Sequence, residues 1–525
     1  MTSLERSAQL IDALIASSVE EFVCCGGSRN APLIAVLSER DVRIHSFFEE
    51  RSAAFFALGR ARATGHPVAV VTTSGTAAAE LLPAAIEAHY SGVPLVLVTA
   101  DRPARYRGTG ASQAIEQASL FVPFVERAID LPETAPVTLP SWCRTRPIHI
   151  NIALDEPLMA GPIPAPGAGI SFAPASPRVE PADEVSREIE SFLDAFNRPL
   201  IVVGEIEERA RSAVRALIVA AGAPVYAEPL SGLREDPELG HLLIRSGERI
   251  LGTAGFDAIL RIGGVPALRL WRDLEETLRA LPVLSVSTLP FAGIAHGEHL
   301  RTDLSALQLS PRPTRADQVH ERDRAALARL EDLLERWPVS EAALVRRLSL
   351  SVPASSLVYL GNSLPIREWD LAATRGRSWR VAANRGANGI DGQLSTFLGM
   401  VEKDREHWCV VGDLTALYDL SAPWALRTVP DAPIRIAVIN NGGGRIFERV
   451  ASLRRIDPSR RETLIESPHE ISLEPWARMW GLPHQSWDGG EFPAALPRRV
   501  ILEIRPDDEE SRRFWDELDR FPEEG

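Results

Sequence analysis

Two short apolar runs late in the chain, 408–411 and 434–439, each stop at a polar turn: Gly412-Asp413 after the first, Asn440-Asn441-Gly442-Gly443 after the second. Apolar runs this short that end in glycine read as strands buried on both faces, as parallel sheets require. Asp413 and Asn441 are 441 − 413 = 28 residues apart, a spacing that fits a strand end, a covering helix and a return strand. Both turns then open at the same end of one sheet. An Asp carboxylate, an Asn amide oxygen and a free backbone carbonyl at Gly443 are three hard oxygen donors. Magnesium takes such donors and completes its octahedron with phosphate oxygens and water. The pattern therefore predicts a metal, magnesium with manganese as the alternative, that holds a diphosphate. Either half alone is an ordinary turn; the pair behind two buried strands carries the meaning.

A chain of 525 residues with 45% apolar content suits about three domains. Its net charge of −14 excludes a general nucleic-acid surface, which needs clustered cations. Any anionic ligand must be met by local arginines. The four cysteines, Cys24, Cys25, Cys143 and Cys409, have no metal-finger or C-x-x-C spacing, which points to a reducing cytoplasm. Residues 4–19 read as an amphipathic helix rather than a signal peptide, and no apolar run reaches membrane-spanning length.

The fold class that follows is α/β, with three doubly wound parallel-sheet domains expected at 1–175, 185–335 and 345–525. In the first, strand-like 67–71 leads through Thr72-Thr73-Ser74-Gly75-Thr76 and a helix to a second strand at 94–99, a β-α-β unit. A stretch rich in Pro, Ala and Gly at 161–181 reads as a linker. The second block shows strands at 199–203 and 258–262, with a helix at 207–221 between them. Val203-Gly204-Glu205 lacks the glycine fingerprint of a dinucleotide site, so nicotinamide binding is unsupported. The third block opens with a strand at 356–360. The first and third blocks read as cousins, both parallel units with functional loops at strand ends.

Several turns combine small residues with charge. Phe47-Phe48-Glu49-Glu50-Arg51 sets a carboxylate behind aromatic residues, where low polarity favours the protonated form or a strong hydrogen bond. The competing reading is that both glutamates start a helix. Cys25-Gly26-Gly27-Ser28-Arg29-Asn30 presents backbone N–H groups and a planar guanidinium suited to a carboxylate. Gly361-Asn362-Ser363-Leu364-Pro365-Ile366-Arg367 offers Ser363 as a helix cap and Pro365 in the first turn, with Ser363 and Arg367 on one helix face. Asn384-Arg385-Gly386-Ala387-Asn388-Gly389-Ile390-Asp391 is a glycine-bearing loop that lets backbone approach a ligand. Four turn-borne arginines, Arg29, Arg102, Arg367 and Arg385, in an acidic chain point to a polyanionic substrate.

Gly412-Asp413 with Asn440-Asn441 is similar to the metal signature of thiamine-diphosphate enzymes. Together with Gly27-Ser28-Arg29, Glu50-Arg51, Thr73-Ser74-Gly75-Thr76, Thr99-Ala100-Asp101-Arg102-Pro103, Gln113-Ala114-Ile115, His149-Ile150-Asn151, Gly361-Asn362-Ser363, Asn384-Arg385-Gly386, Leu417-Tyr418-Asp419 and Ile446-Phe447, it resembles one branch of that family. The branch is the 2-succinyl-5-enolpyruvyl-6-hydroxy-3-cyclohexene-1-carboxylate synthases of menaquinone biosynthesis. Most telling is Leu414-Thr415 after Gly412-Asp413, where thiamine enzymes at large usually have glycine third.

The resemblance implies thiamine diphosphate and Mg2+ as cofactors, and 2-oxoglutarate and isochorismate as substrates. It implies decarboxylation of the first and conjugate (1,4) addition of the succinic-semialdehyde carbanion equivalent to the second. By matching position, Glu50 activates the cofactor, and Ser363, Arg367 and Gln113 join it as catalytic residues. Ser28, Arg29, Arg102, Arg269, Arg385 and Phe447 bind substrate. Ser74, Asn388, Ile390, Leu414, Thr415 and Ile446 hold the cofactor, and Asp413, Asn441 and Gly443 the metal. The first domain would take the pyrimidine, the third the diphosphate and metal, and the central one would be architectural. Glu50 of one subunit meets Asp413 of another in this family, so a homodimer or dimer of dimers is implied. His149 reads as a core histidine rather than a base. Leu268 stands where the family can carry a lysine beside the arginine, which removes one cation from the substrate grip. The rival readings are another thiamine-diphosphate 2-oxo-acid decarboxylase, an acetohydroxyacid synthase-like carboligase, and a non-catalytic cofactor-binding module.

Overall fold

Short apolar runs alternating with helices build three all-parallel sheets in the computed structural model, which describes residues 1–169, 172, 173 and 175–520. The first sheet comprises β1 (Glu21–Cys25), β2 (Arg43–Phe47), β3 (Val68–Thr72), β4 (Leu95–Asp101), β5 (Arg127–Leu131) and β6 (Ile148–Ala153), in the order 2-1-3-4-6-5. The second comprises β7 (Pro199–Val203), β8 (Val225–Ala227), β9 (Ala258–Ile262), β10 (Val283–Ser287) and β11 (Glu298–Arg301), in the order 11-10-9-7-8. The third comprises β12 (Leu357–Leu360), β13 (Arg380–Ala382), β14 (His407–Gly412), β15 (Ile434–Ile439), β16 (His484–Trp487) and β17 (Arg499–Ile504), in the order 13-12-14-15-17-16. Renumbered from its own start, the third order repeats the first, so the two sheets are topological copies. The central strands β3, β4, β9, β14 and β15 carry no exposed residue, because helices cover both faces.

The chain packs as two compact units. One comprises Met1–Pro177, Asn384–Asp404 and Thr415–Ala432; the other comprises Arg178–Ala383, Arg405–Leu414 and Pro433–Gly525. In the first unit the opening helix, Ser3–Ala16, begins at a capping box formed by Thr2 and Glu5. The described part of the stretch read as a linker is strapped to this helix. Gly167 N donates to Asp12 Oδ2 at 3.0 Å, Phe172 N donates to Ser17 Oγ at 2.8 Å, and the Phe172 ring is buried against Trp142. All four cysteines are free.

In the second unit Arg234 is fully buried and donates to the carbonyls of Trp369, Asp370 and Ala373 at 2.7–3.1 Å. Those oxygens lie at the C-terminal end of helix Leu364–Ala372, where a cation meets the negative end of the dipole. Tyr226 of β8 adds a hydroxyl bond to Asp370. The middle block thus fixes the helix that carries Arg367. In a doubly wound sheet a ligand crevice opens where the strand order reverses, here between β7 and β9. Backbone fills it: a β-carbon on Gly204 would lie 2.3 Å from Gly264 O, and Gly264 N donates to Glu205 O at 2.8 Å. That closure agrees with the missing dinucleotide fingerprint.

Candidate active-site residues at two switch points

The strand order of the first sheet reverses between β1 and β3, and the loops leaving these strands carry Ser28, Arg29 and Ser74. Asn30 holds the first loop in shape, accepting from Gly27 N and donating to Cys25 O, both at 2.8 Å. Ser28 is exposed; Arg29 turns its fork toward its own chain, with Leu154 O at 2.9 Å and Glu156 at 3.4 Å. The two glutamates after β2 separate in role. Glu49 is the N-cap of helix Glu50–Thr64, accepting from Arg51 N at 3.0 Å and Ser52 N at 3.2 Å. Glu50, the first helical residue, is thereby released from capping. Burial raises its carboxyl above the ordinary value, and Glu49 and Glu80 push the same way.

Ser74 is buried beside Gly75, whose N–H donates to Gln117 Oε1 at 3.1 Å. Gln117 donates to Asn151 Oδ1 at 2.8 Å, and Asn151 donates to Asp101 and Asp130. Gln113 is exposed in left-handed backbone (φ 55), its Cα 3.3 Å from where a Gly75 β-carbon would stand. The structure thus brings Gln113 against the Ser74 turn. Arg102 lies over the Tyr106 ring at 5.6 Å. His149 is fully buried, its Nε2 2.7 Å from Thr99 Oγ1, and burial lowers its pKa to about 3, so it is no base near neutrality. The loop with Arg385, Asn388 and Ile390 is pinned by buried Glu87, which accepts from Gly386 N at 2.8 Å and Ala387 N at 2.7 Å. Asn388 is exposed with φ 59, and Ile390 is half-buried.

The third sheet reverses between β12 and β14, whose following residues include Ser363 and Asp413. Asp413 is 2% exposed; its Oδ2 accepts from Gly442 N at 2.9 Å and Gly443 N at 3.0 Å, with His469 Nε2 3.3 Å away. Burial raises its carboxyl above the usual value, opposed by these donors. The two asparagines divide their work. Asn440 ties β15 to β17, donating to Glu503 at 2.7 Å, whereas Asn441 Nδ2 donates to Glu341 Oε2 at 2.9 Å. The Asn441 Oδ1 atom is buried with no hydrogen-bond partner among the described residues. An orphaned buried acceptor beside a buried carboxylate is the donor set a hard cation completes. Gly443 has φ 137, and a β-carbon there would meet Glu466 O at 2.6 Å, so only glycine fits this cradle. The residues present fit a divalent metal.

Two expectations are corrected here. The Gly443 carbonyl is not free: it accepts from Arg445 N at 3.0 Å, leaving its second lone pair. The segment between β14 and β15 is not one covering helix but a six-residue helix, Asp413–Tyr418, and a 3₁₀ turn, Ala422–Arg427. Leu414 and Thr415 lie in that short helix, Thr415 buried.

Ser363 occupies the N-cap position of helix Leu364–Ala372 but, contrary to expectation, its side chain makes no cap bond among the described residues. Its φ of 72 turns the hydroxyl away from the helix start. Pro365 sits in the first turn as expected, and Arg367 Nη1 reaches back to Ser363 O at 2.5 Å. Arg367 is solvent-exposed as a residue, and local desolvation of its guanidinium lowers its pKa, opposed by Glu248. Glu248 also accepts from Arg269 N at 2.5 Å, while the Arg269 side chain is exposed and pairs with Asp273 at 3.5 Å. Leu268 is buried with Trp271 in an apolar cluster, a place no lysine would take unpaired. Ile446 and Phe447 lie half-buried in the 3₁₀ turn Arg445–Arg449.

Gln117, Glu248, Glu341 and His469 escaped the sequence reading. Each acts from an element distant in sequence, without local spacing to mark it. Gln117 alone carried a signal, as a second glutamine close behind Gln113.

Residues 5–120 match the family described as thiamine pyrophosphate enzyme, N-terminal TPP binding domain. The chain is 43% identical to the 2-succinyl-5-enolpyruvyl-6-hydroxy-3-cyclohexene-1-carboxylate synthase of Bdellovibrio bacteriovorus, covering 99% of both chains. It is 39% identical to the synthase of the same name from Akkermansia muciniphila, covering 94% of both. Among solved structures, benzoylformate decarboxylase from Polynucleobacter necessarius superposes with a TM-score of 0.71 at 16% identity, over 97% of this chain and 99% of that one, which shows a shared fold. With both switch-point loops carrying the matching residues and similarity running the full length, the chain belongs to the 2-succinyl-5-enolpyruvyl-6-hydroxy-3-cyclohexene-1-carboxylate synthase family of thiamine-diphosphate enzymes.

Proposed function

We propose that these loops carry the family's reaction in this chain: thiamine-diphosphate-dependent decarboxylation of 2-oxoglutarate, then conjugate addition of the remaining four-carbon unit to isochorismate, a step of menaquinone biosynthesis. The observation that supports it most directly is the orphaned Asn441 Oδ1 beside buried Asp413. When bound, thiamine diphosphate supplies the nucleophilic carbon, and the protein supplies position and electrostatics. Asp413, Asn441 Oδ1 and the Gly443 carbonyl would hold Mg2+, with Leu414, Thr415 and Ile446 beside them. Glu50, whose carboxyl is raised by burial, would share a proton with the pyrimidine, near Ser74, Asn388 and Ile390. Arg367 and Ser363 would orient the donor, and Arg29, Arg102, Arg269, Arg385, Ser28, Gln113 and Phe447 would meet the substrates' carboxylates and ring.

Blocks 1–175, 185–335 and 345–525 would serve as pyrimidine, central and diphosphate domains of a cytoplasmic homodimer or dimer of dimers. Among the described residues no helix is long and apolar enough to cross a membrane. The test follows carbon dioxide and product mass from 2-oxoglutarate with isochorismate, against pyruvate and chorismate. Carbon dioxide released from pyruvate but not from 2-oxoglutarate would reject the assignment. Full turnover by chains diluted to monomers would reject the shared site.

A further inference from the structure

We infer that Glu341 is a positioning residue for the metal, setting the Asn441 amide so that its oxygen rather than its nitrogen is presented as a ligand. The inference rests on the reading of Asn441 as a metal ligand. An asparagine amide has two faces of nearly equal size, one accepting and one donating, and its shape does not choose between them. Asn441 also borders a cavity of about 220 Å³ that it lines with Glu341, Arg445, Arg449 and Trp515. A hydrogen-bond partner must choose. Glu341 Oε2 accepts from Asn441 Nδ2 at 2.9 Å, so the nitrogen faces that oxygen and Oδ1 is left turned away.

Glu341 is itself held in place. It is the first residue of helix Glu341–Ser351, whose cap Ser340 accepts from Ala343 N at 3.3 Å, and its own N–H donates to Ser511 Oγ at 3.0 Å. Glu341 is 4% exposed and has the carboxyl of fully buried Glu368 and the charge of Asp413 as neighbours, with Arg449 a nearby cation. Packing alone gives no reason for two buried acids here, since a leucine at position 341 would avoid desolvating a carboxylate. Outer-sphere partners that orient a ligand characteristically alter metal affinity.

The experiment measures Mn2+ affinity by electron paramagnetic resonance of the free ion, with thiamine diphosphate present, for Glu341→Leu, Asn441→Ala and the double variant. Glu341→Leu is expected to weaken Mn2+ about ten-fold or more. In the Asn441→Ala background the same change is expected to add less than about two-fold, because the amide it orients is gone. Equal losses in both backgrounds, or no loss in either, overturn the inference while leaving Asn441 a ligand. If Asn441→Ala binds Mn2+ like the parent protein, the ligand reading falls and takes the inference with it. Should the leucine variant not fold, Glu341→Gln serves: its amide can accept or donate, so it no longer fixes which face Asn441 presents, and it is expected to weaken Mn2+ several-fold in the parent background and by less than about two-fold in the Asn441→Ala background. A glutamine variant that binds Mn2+ like the parent, or that loses equally in both backgrounds, overturns the assignment.

Discussion

Asp413 and Gly443 meet across the ends of β14 and β15, where one carboxylate oxygen accepts the Gly443 N–H at 3.0 Å and the Gly442 N–H at 2.9 Å. The acid therefore shapes the turn that presents Asn441 as well as offering its own charge. Asp413→Asn keeps an acceptor oxygen for those amides and removes the charge. Its thermal stability is expected to stay within about 1 kcal/mol of the parent, while Mn2+ affinity falls by about 10²-fold, at the upper end of what even an outer-sphere change produces. Calorimetry and Mn2+ titration of one preparation separate the two roles. An affinity within a few-fold of the parent would remove Asp413 from the ligand set.

Glu50 is raised above the ordinary carboxyl value by burial, and Glu49 and Glu80 add to the shift. A carboxyl raised on folding favours the folded state at low pH, and that benefit is lost as pH climbs through its folded value. Glu50→Gln removes the ionising group. The variant is expected to melt higher than the parent at pH 7–8 and to converge with it below about pH 4, under the unperturbed carboxyl range. Turnover is expected to fall about 10²- to 10⁴-fold, as for loss of a proton-transfer group. A melting difference that grows as pH falls would show that the sign is wrong.

Both switch-point loops stood out in the sequence because each ends a buried strand and carries residue types with one strong chemical preference: oxygen donors at Asp413 and Asn441, guanidinium groups at Arg29 and Arg367. The repeat of strand order between the first and third sheets was visible only as a likeness of pattern, since pairing is settled by long-range packing. Residue pattern alone did not separate the glutamates at 49 and 50; the resemblance singled out Glu50, and the structure makes Glu49 the cap of the helix. Ser363 misled for a physical reason: residue type favoured a side-chain cap, but the left-handed backbone that follows β12 turns the hydroxyl elsewhere. Glu341 reaches Asn441 from 100 residues away, and no local periodicity encodes such a contact.

Asp419 lies in a motif whose chemistry is structural. Its buried carboxylate accepts from Gly392 N and Leu394 N, both at 3.0 Å, and from Ser395 N at 3.4 Å, while Arg51 stands 3.6 Å away. It thereby caps helix Gln393–Gly399, whose own preceding residue, Gly392, has no side chain to do so. Asp419→Ala leaves those donors buried and is expected to cost about 3 kcal/mol. Chemical denaturation at neutral pH checks it, and a change under about 0.5 kcal/mol, the scale of a surface substitution, would mean that solvent satisfies the helix start.

Arg367 combines two tasks that a lysine would split. One nitrogen of its guanidinium donates to the carbonyl of Ser363 at 2.5 Å, securing a residue held at φ 72, and the planar fork leaves further donors in fixed directions. Arg367 is exposed as a residue, and the charge of Glu248 opposes the local desolvation of its guanidinium. A lysine ammonium has the charge but neither the fork nor the reach to serve the carbonyl and a substrate carboxylate together. Arg367→Lys is therefore expected to lower kcat/KM for 2-oxoglutarate by about 10²-fold, the worth of one desolvated charge-assisted contact. Against 2-oxobutyrate, which lacks the distal carboxylate, the loss is expected to be smaller, so that the preference between the two donors narrows. Equal losses on both would show that Arg367 supports the Ser363 turn without reading the distal carboxylate. An unchanged kcat/KM on 2-oxoglutarate would remove it from the donor site.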